Sequence, residues 1–220
     1  MTEFIRSLDE LVELIHAWGF VPFFRNSIPG FSLEELTPPE LWFSDEQEGP
    51  WEWKGPAIRK SGCAYGKFFS GKAVFVSPEF FPHFANLRRE GLDFWDIYDE
   101  GRISHAQREL FELLEEEPSL LSRELKRRGG FSKEGKKGFD GLLTKLQMGC
   151  FVVISDFEYQ KDKYGLPYGF GLARCATAES VFGEDFMPDC SPEESKAVIV
   201  EKLLELLPQA TQRDILKLIG

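Results

Sequence analysis

Leu121-Ser122-Arg123-Glu124-Leu125-Lys126-Arg127-Arg128-Gly129-Gly130 reads as a short helix stopped by a glycine pair, and its neighbours decide the fold. Before it, a helix carrying Leu110, Phe111 and Leu114 ends in Glu115-Glu116-Glu117-Pro118. After it, Phe139, Leu142, Leu143 and Leu146 recur at helical spacing and predict a third helix from about Ser132. A β run from Cys150 to Tyr159, a charged tip at Gln160-Lys161-Asp162-Lys163-Tyr164-Gly165 and a second β run from Pro167 to Arg174 follow. Three helices and a hairpin, in that order, make a winged helix, a module that lays its third helix in the major groove of DNA. The expected fold class is α+β, with a winged-helix domain at 101–176.

Working outward, Ser7-Leu8-Asp9-Glu10 is a capping box, followed by a helical stripe of Leu8, Leu11, Val12, Ile15 and Trp18 that stops at Gly19. Residues 20–31 contain Pro22, Pro29 and Gly30 and read as a loop. Tyr65 to Phe69 and Lys72 to Val76 flank Ser70-Gly71, which predicts a β-hairpin. Ser77-Pro78-Glu79 caps a helix through Phe84 and Leu87. Thr177, Ser191 and Thr211 each start a further helix. The expected organisation is an N-terminal α+β region at 1–100 that is itself winged-helix-like, making the modules tandem. A C-terminal helical extension at 177–220 completes it.

The chain has 220 residues, 42 % of them hydrophobic, with 21 phenylalanines that must mostly be buried. No signal peptide and no membrane-length apolar run is visible, so a cytoplasmic protein with no membrane partner is expected. Cys63, Cys150, Cys175 and Cys190 show no paired spacing and only three histidines are present, so neither a disulfide framework nor a metal site is expected. No cofactor is expected either: nucleotide-binding and hydrolase motifs are absent.

The net charge of −11 argues against general affinity for nucleic acid. The charge is uneven, however. Residues 123–137 hold seven cations (Arg123, Lys126, Arg127, Arg128, Lys133, Lys136 and Lys137) against two acids, Glu124 and Glu134. If Phe139, Leu142, Leu143 and Leu146 face the core, the opposite stripe is Lys133, Lys137, Gly141, Thr144 and Lys145. The expected contacts with double-stranded DNA are Arg123, Lys126, Arg127, Lys133, Lys136 and Lys137, with Lys161 and Lys163 at the wing tip. Thr144 and Lys145 come nearest base edges. The bland alternative is a solvated basic face that offsets nearby acids. Asp156 and Glu158 share one face of a β run, which is the ordinary polar face of a half-buried sheet before it is an acid–base pair.

Trp51-Glu52-Trp53, Phe75-Val76-Ser77-Pro78-Glu79-Phe80-Phe81-Pro82 with Arg88-Arg89, Ser119 to Leu125 and Leu142-Leu143-Thr144-Lys145-Leu146 together resemble the AlkZ-related proteins, small relatives of the AlkZ and YcaQ winged-helix DNA glycosylases. The resemblance runs along nearly the whole chain. It implies tandem winged helices and a DNA role, linked to repair. The glycosylases place their attacking water with a short Gln-x-Gln or Gln-x-Asp motif, which by position would fall at Phe20-Val21-Pro22-Phe23-Phe24. Phenylalanine and proline supply neither a polar group to orient water nor a negative charge to stabilise an oxocarbenium-like state, so no catalytic residue carries over. The leading expectation is a winged-helix DNA-binding protein without that catalytic motif. The alternatives are an active divergent glycosylase for alkylated bases, with Glu52 or Asp156 activating water, and an acidic adaptor that binds a protein partner.

Overall fold

The computed structural model describes residues 4–44, 46–161, 163 and 167–220, the side chains of 160, 161 and 167–170 excepted. The chain is α+β, with small antiparallel sheets among more numerous helices. One order of elements occurs twice. In the first half it is α1 (Leu8–Trp18), β1 (Phe20–Pro22), α2 (Leu33–Leu36), α3 (Pro50–Ser61), β2 (Ala64–Phe69) and β3 (Lys72–Val76), with a 3-10 turn at Pro39–Leu41. Two short helices, α4 (Phe81–Arg89) and α5 (Phe94–Asp99), lead onward. The second half repeats the series as α6 (His105–Glu116), β4 (Leu120–Leu121), α7 (Ser122–Arg128), α8 (Phe139–Met148), β5 (Val152–Lys161) and β6 (Pro167–Thr177). Both sheets place the first strand beside the third and the third beside the second: β1-β3-β2 and β4-β6-β5. Three helices close the chain: α9 (Ala178–Phe182), α10 (Pro192–Leu206) and α11 (Gln212–Ile219).

Local chemistry explains most boundaries. Ser7 and Glu10 close a reciprocal cap at the start of α1, and Ser191 with Glu194 does the same for α10. Ser70 (φ 48°) and Gly71 (φ 77°) form the tight turn between paired Phe69 and Lys72. Some elements differ from the sequence-based expectation or were not anticipated by it. Ser77 gives α4 no side-chain cap, and that helix starts at Phe81 with Phe80 before it. Residues 20–22 are a strand rather than a loop, because Phe20 and Val21 pair across the sheet with Val76 and Phe75. The Trp51-Glu52-Trp53 segment opens α3, with Pro50 at its first position and the Glu52 carboxylate accepting the Gly49 N–H at 2.9 Å. The third helix of the second series begins at Phe139, not near Ser132, because 129–138 form a closed loop of their own.

Two clusters of buried side chains hold the halves together. One runs from Leu11, Phe23 and Trp53 through Phe75 to Phe111, Leu146 and Phe151. The other joins Phe20, Phe68 and Phe84 to Val153, Ile199, Leu203 and Ile215. Each draws on residues from either side of position 100. Burying one such phenylalanine contributes about 1.5–3 kcal/mol. The arginines that follow the Phe75–Pro82 segment serve this packing. Arg88 donates to the carbonyls of Ile219 and Gly220, and the fully buried Arg89 donates to Cys150 O at 2.7 Å and pairs with Glu179. No helix among the described residues is long and apolar enough to cross a membrane.

Cys63, Cys150 and Cys175 are buried, and desolvation pushes each thiol from an ordinary 9.0 up to about 12. Cys190 is half-exposed. A disulfide-exchange reagent at pH 8 should therefore titrate one thiol in the native protein and four in denaturant; three or more fast native thiols would contradict this packing. The same shift fixes a sign. These pKa values are raised in the fold, so their stabilisation is complete below pH 9 and is lost as pH climbs toward 12. The melting temperature should fall through that window.

Candidate functional site

The basic residues gather where α7, the 129–138 loop and the start of α8 meet. Gly130 sits at φ 78° and Gly138 at φ 84°, conformations that admit glycine far more readily than other residues. Phe131 N donates to Lys126 O and Lys136 N to Gly130 O, both at 3.0 Å, so the loop returns on itself. At Gly135 a Cβ would lie 2.4 Å from Gly130 O, which restricts that position to glycine. Phe131 and Phe139 turn inward and pack with their rings 5.5 Å apart, fixing the loop against the helix.

Around this frame lies an open cavity of about 380 Å³, lined by Lys126, Lys133, Lys136, Lys137, Gly138 and Gly141. Gly138 supplies no side-chain cap to α8. The first N–H groups of a helix have no partner within it, and with the helix dipole they favour an anion. Four ammonium groups at such an end make a place where a phosphate would be doubly attracted. Asp140, in the first turn, is the acid within the same rim.

The cations differ in what already holds them. Arg123, Lys133 and Lys145 are exposed, and their charged groups form no hydrogen bond or ion pair among the described residues. Lys126 is exposed and lies 5.6 Å from the Phe139 ring centroid. Lys136 pairs with Glu109 at 2.6 Å, and its hydrogen bond holds that carboxyl below the usual range. Arg127 lies 3.7 Å from Glu124, and Arg128 is held by Glu116 and Glu117. Lys137 folds back onto the carbonyls of Ser132 and Lys133. Lys163 is exposed at the wing, while the Lys161 side chain and the tip residues Asp162, Tyr164 and Gly165 lie outside the described residues.

Thr144 is placed differently from its expected position near base edges. The middle of α8 packs on β2: Lys67 Nζ donates to Thr144 Oγ1 at 3.3 Å, and Lys67 N donates to Gln147 Oε1 at 2.8 Å. The first half of the chain therefore covers part of the face that the sequence leaves open.

The carboxylates considered for water activation are each engaged. Glu52 caps α3, Asp156 pairs with Arg59 and accepts the Phe157 N–H, and Glu158 pairs with Arg174. Phe20, Val21 and Phe23, where the resemblance implies the glycosylase motif would fall, are fully buried. Sequence reasoning passed over Lys54, which α3 turns inward until it is only 4 % exposed. Its only local signal is the i, i+3 spacing from Trp51.

The chain is α+β and acidic overall, with four lysines gathered around the start of one helix. The chain belongs to the AlkZ-related family, which it matches over residues 5–220. Comparison with curated proteins and with solved structures returned no match.

Two glycines test the loop geometry in opposite directions. Gly135→Ala should cost about 1–3 kcal/mol in urea unfolding, because the added methyl collides with a carbonyl. Gly141 lies inside α8, exposed, with open space where a Cβ would stand. Gly141→Ala should therefore stabilise by about 0.5–1 kcal/mol through helix propensity. Equal effects from the two would contradict the described loop.

Proposed function

We propose that the chain is a DNA-binding protein built from two winged helices in tandem, and that it grips duplex DNA through the basic end of α8 and the loop before it. The twice-repeated order of elements, each with the same strand arrangement, supports the tandem reading at 1–100 and 101–176. The segment 177–220 is a helical extension bound to the first unit through α4. Membership of a family named for its relation to AlkZ supports a role on DNA. One observation carries the proposal: solvent-facing cations converge on an uncapped helix end.

Lys126, Lys133, Lys136, Lys137 and Arg123 are the proposed phosphate contacts, with Arg127 and Lys163 flanking and Lys145 further along α8. Lys136 must exchange Glu109 for a phosphate. That exchange costs little because exposed ion pairs contribute only about 0–1 kcal/mol. The reading assigns no catalytic step, since Glu52, Asp156 and Glu158 are already committed to caps and ion pairs.

Binding of a labelled duplex followed by anisotropy tests this. About five phosphate contacts give a slope near −4.5 in log K against log salt, so affinity should fall by about 500-fold between 50 and 200 mM. Lys133→Glu with Lys137→Glu should abolish binding at 50 mM. Micromolar protein that leaves the duplex free at 50 mM, or a double variant that binds like the parent, would overturn the proposal.

A further inference from the structure

A second cavity lies between the halves and shares Asp140 with the rim of the basic cavity. It encloses about 250 Å³ and is lined by Lys54 of α3, Tyr65 and Lys67 of β2, Asp140 and Thr144 of α8, and Phe157 of β5, among others. That volume suits a compact ligand rather than a drug-sized one. Lys54 is the buried amine of this cavity. Its Nζ lies 4.0 Å from the Phe157 ring centroid, 4.7 Å from that of Trp51 and 6.0 Å from that of Phe23.

Lysine is seldom fully buried, because its ammonium loses hydration. Here desolvation pulls the amine from an ordinary 10.5 down to about 8, against the opposing pull of Glu52 on the same helix. Such an amine gives up its proton at a lower pH than an exposed lysine does. An uncharged amine in a cavity is a nucleophile, and the three rings supply what its product needs, since π faces stabilise a cation that water does not reach.

We infer that Lys54 is a carbonyl-capturing amine, which forms an imine with a small aldehyde admitted to the cavity between the two halves. The Nζ lone pair bonds to the carbonyl carbon, and the carbonyl π pair moves to oxygen, which takes up a proton. The carbinolamine then loses its oxygen as water, leaving a C=N bond: one amine and one aldehyde give one imine and one water, with no oxidant or reductant. On protonation the imine becomes a cation positioned over the rings that faced the ammonium. The cavity also holds Lys67, Asp140 and Thr144, so its walls suit a polar aldehyde rather than a long apolar one. Such an aldehyde has two sources, a free small molecule or the open sugar of an abasic nucleotide. The first requires nothing of the DNA-binding proposal.

The test traps the imine. The full chain is incubated with glyoxylate and cyanoborohydride across pH 6.5–10, and the carboxymethylated lysines are mapped by peptide mass. The expected result is modification of Lys54 ahead of the exposed lysines, with a rate that inflects near pH 8 while theirs still rises toward pH 10. Lys54→Arg, which keeps a cation without the nucleophile, should lose that adduct and keep the native thiol count. The wild-type map alone decides the matter if the variant does not fold. A parallel arm treats an abasic duplex and its intact counterpart with borohydride. A covalent complex with the abasic duplex, lost in Lys54→Arg, assigns the carbonyl to DNA; a glyoxylate adduct alone assigns it to free aldehydes. Lys54 modified no faster than the exposed lysines at pH 8, with no trapped duplex, overturns the inference and leaves DNA binding by the basic loop untouched.

Discussion

The packing of α3 and β2 against the second half of the chain governs everything else in this molecule. Tyr65 meets Phe157 at 5.7 Å between ring centroids, Tyr159 donates its hydroxyl to the Trp51 carbonyl, and Arg59 pairs with Asp156. Phe23 sits among Trp42, Trp51, Tyr65 and Phe75, each within about 6.3 Å. Aromatic pairs in tilted and edge-on geometry add about 0.5–1.5 kcal/mol each beyond their burial. The rings of the two halves share two buried clusters, and these join the halves.

That junction decides which part of α8 stays available. Its middle is hydrogen-bonded to β2 through Thr144 and Gln147, and its apolar stripe faces Phe131, Phe151 and Leu110 in the core. What remains is the first turn, Lys145 and the loop that brings Lys126, Lys133, Lys136 and Lys137 together. In a chain of net charge −11, a polyanion would meet its least repulsion where those cations gather. Such a distribution favours a single oriented encounter over general adhesion. The same junction also leaves a small cavity behind it and holds Lys54 where water is scarce.

Much of the helical content was legible because its signals are local. Ser7 with Glu10, Ser191 with Glu194, the Ser70-Gly71 turn and the spacing of Phe139, Leu142, Leu143 and Leu146 are each read within one or two turns. The start of α8 was misplaced because Gly135 and Gly138 serve a loop whose closure depends on Lys136 reaching back to Gly130. Helix α3 shows no plain helical pattern because Pro50, Gly55 and Pro56 interrupt it; Pro50 suits the first position, and Pro56 is tolerated inside the helix. Strand β1 was missed because three residues beside a proline carry almost no pattern, and their pairing is with β3, more than fifty residues on. Of the site, the charge run at 123–137 was visible. The capture of Thr144 by Lys67 and the burial of Lys54 were not, because both depend on contacts between the halves.

The central claim is that the junction leaves only the basic end of α8 to face nucleic acid. Backbone amide shifts measured while a duplex is titrated into the protein report on this directly. The account predicts that the changes gather at residues 123–141 and at Lys145, with Lys67 and Gln147 unmoved because β2 stays seated on α8. Changes centred on Lys67, Thr144 and Gln147 would mean that the halves part to expose the helix, and would contradict it.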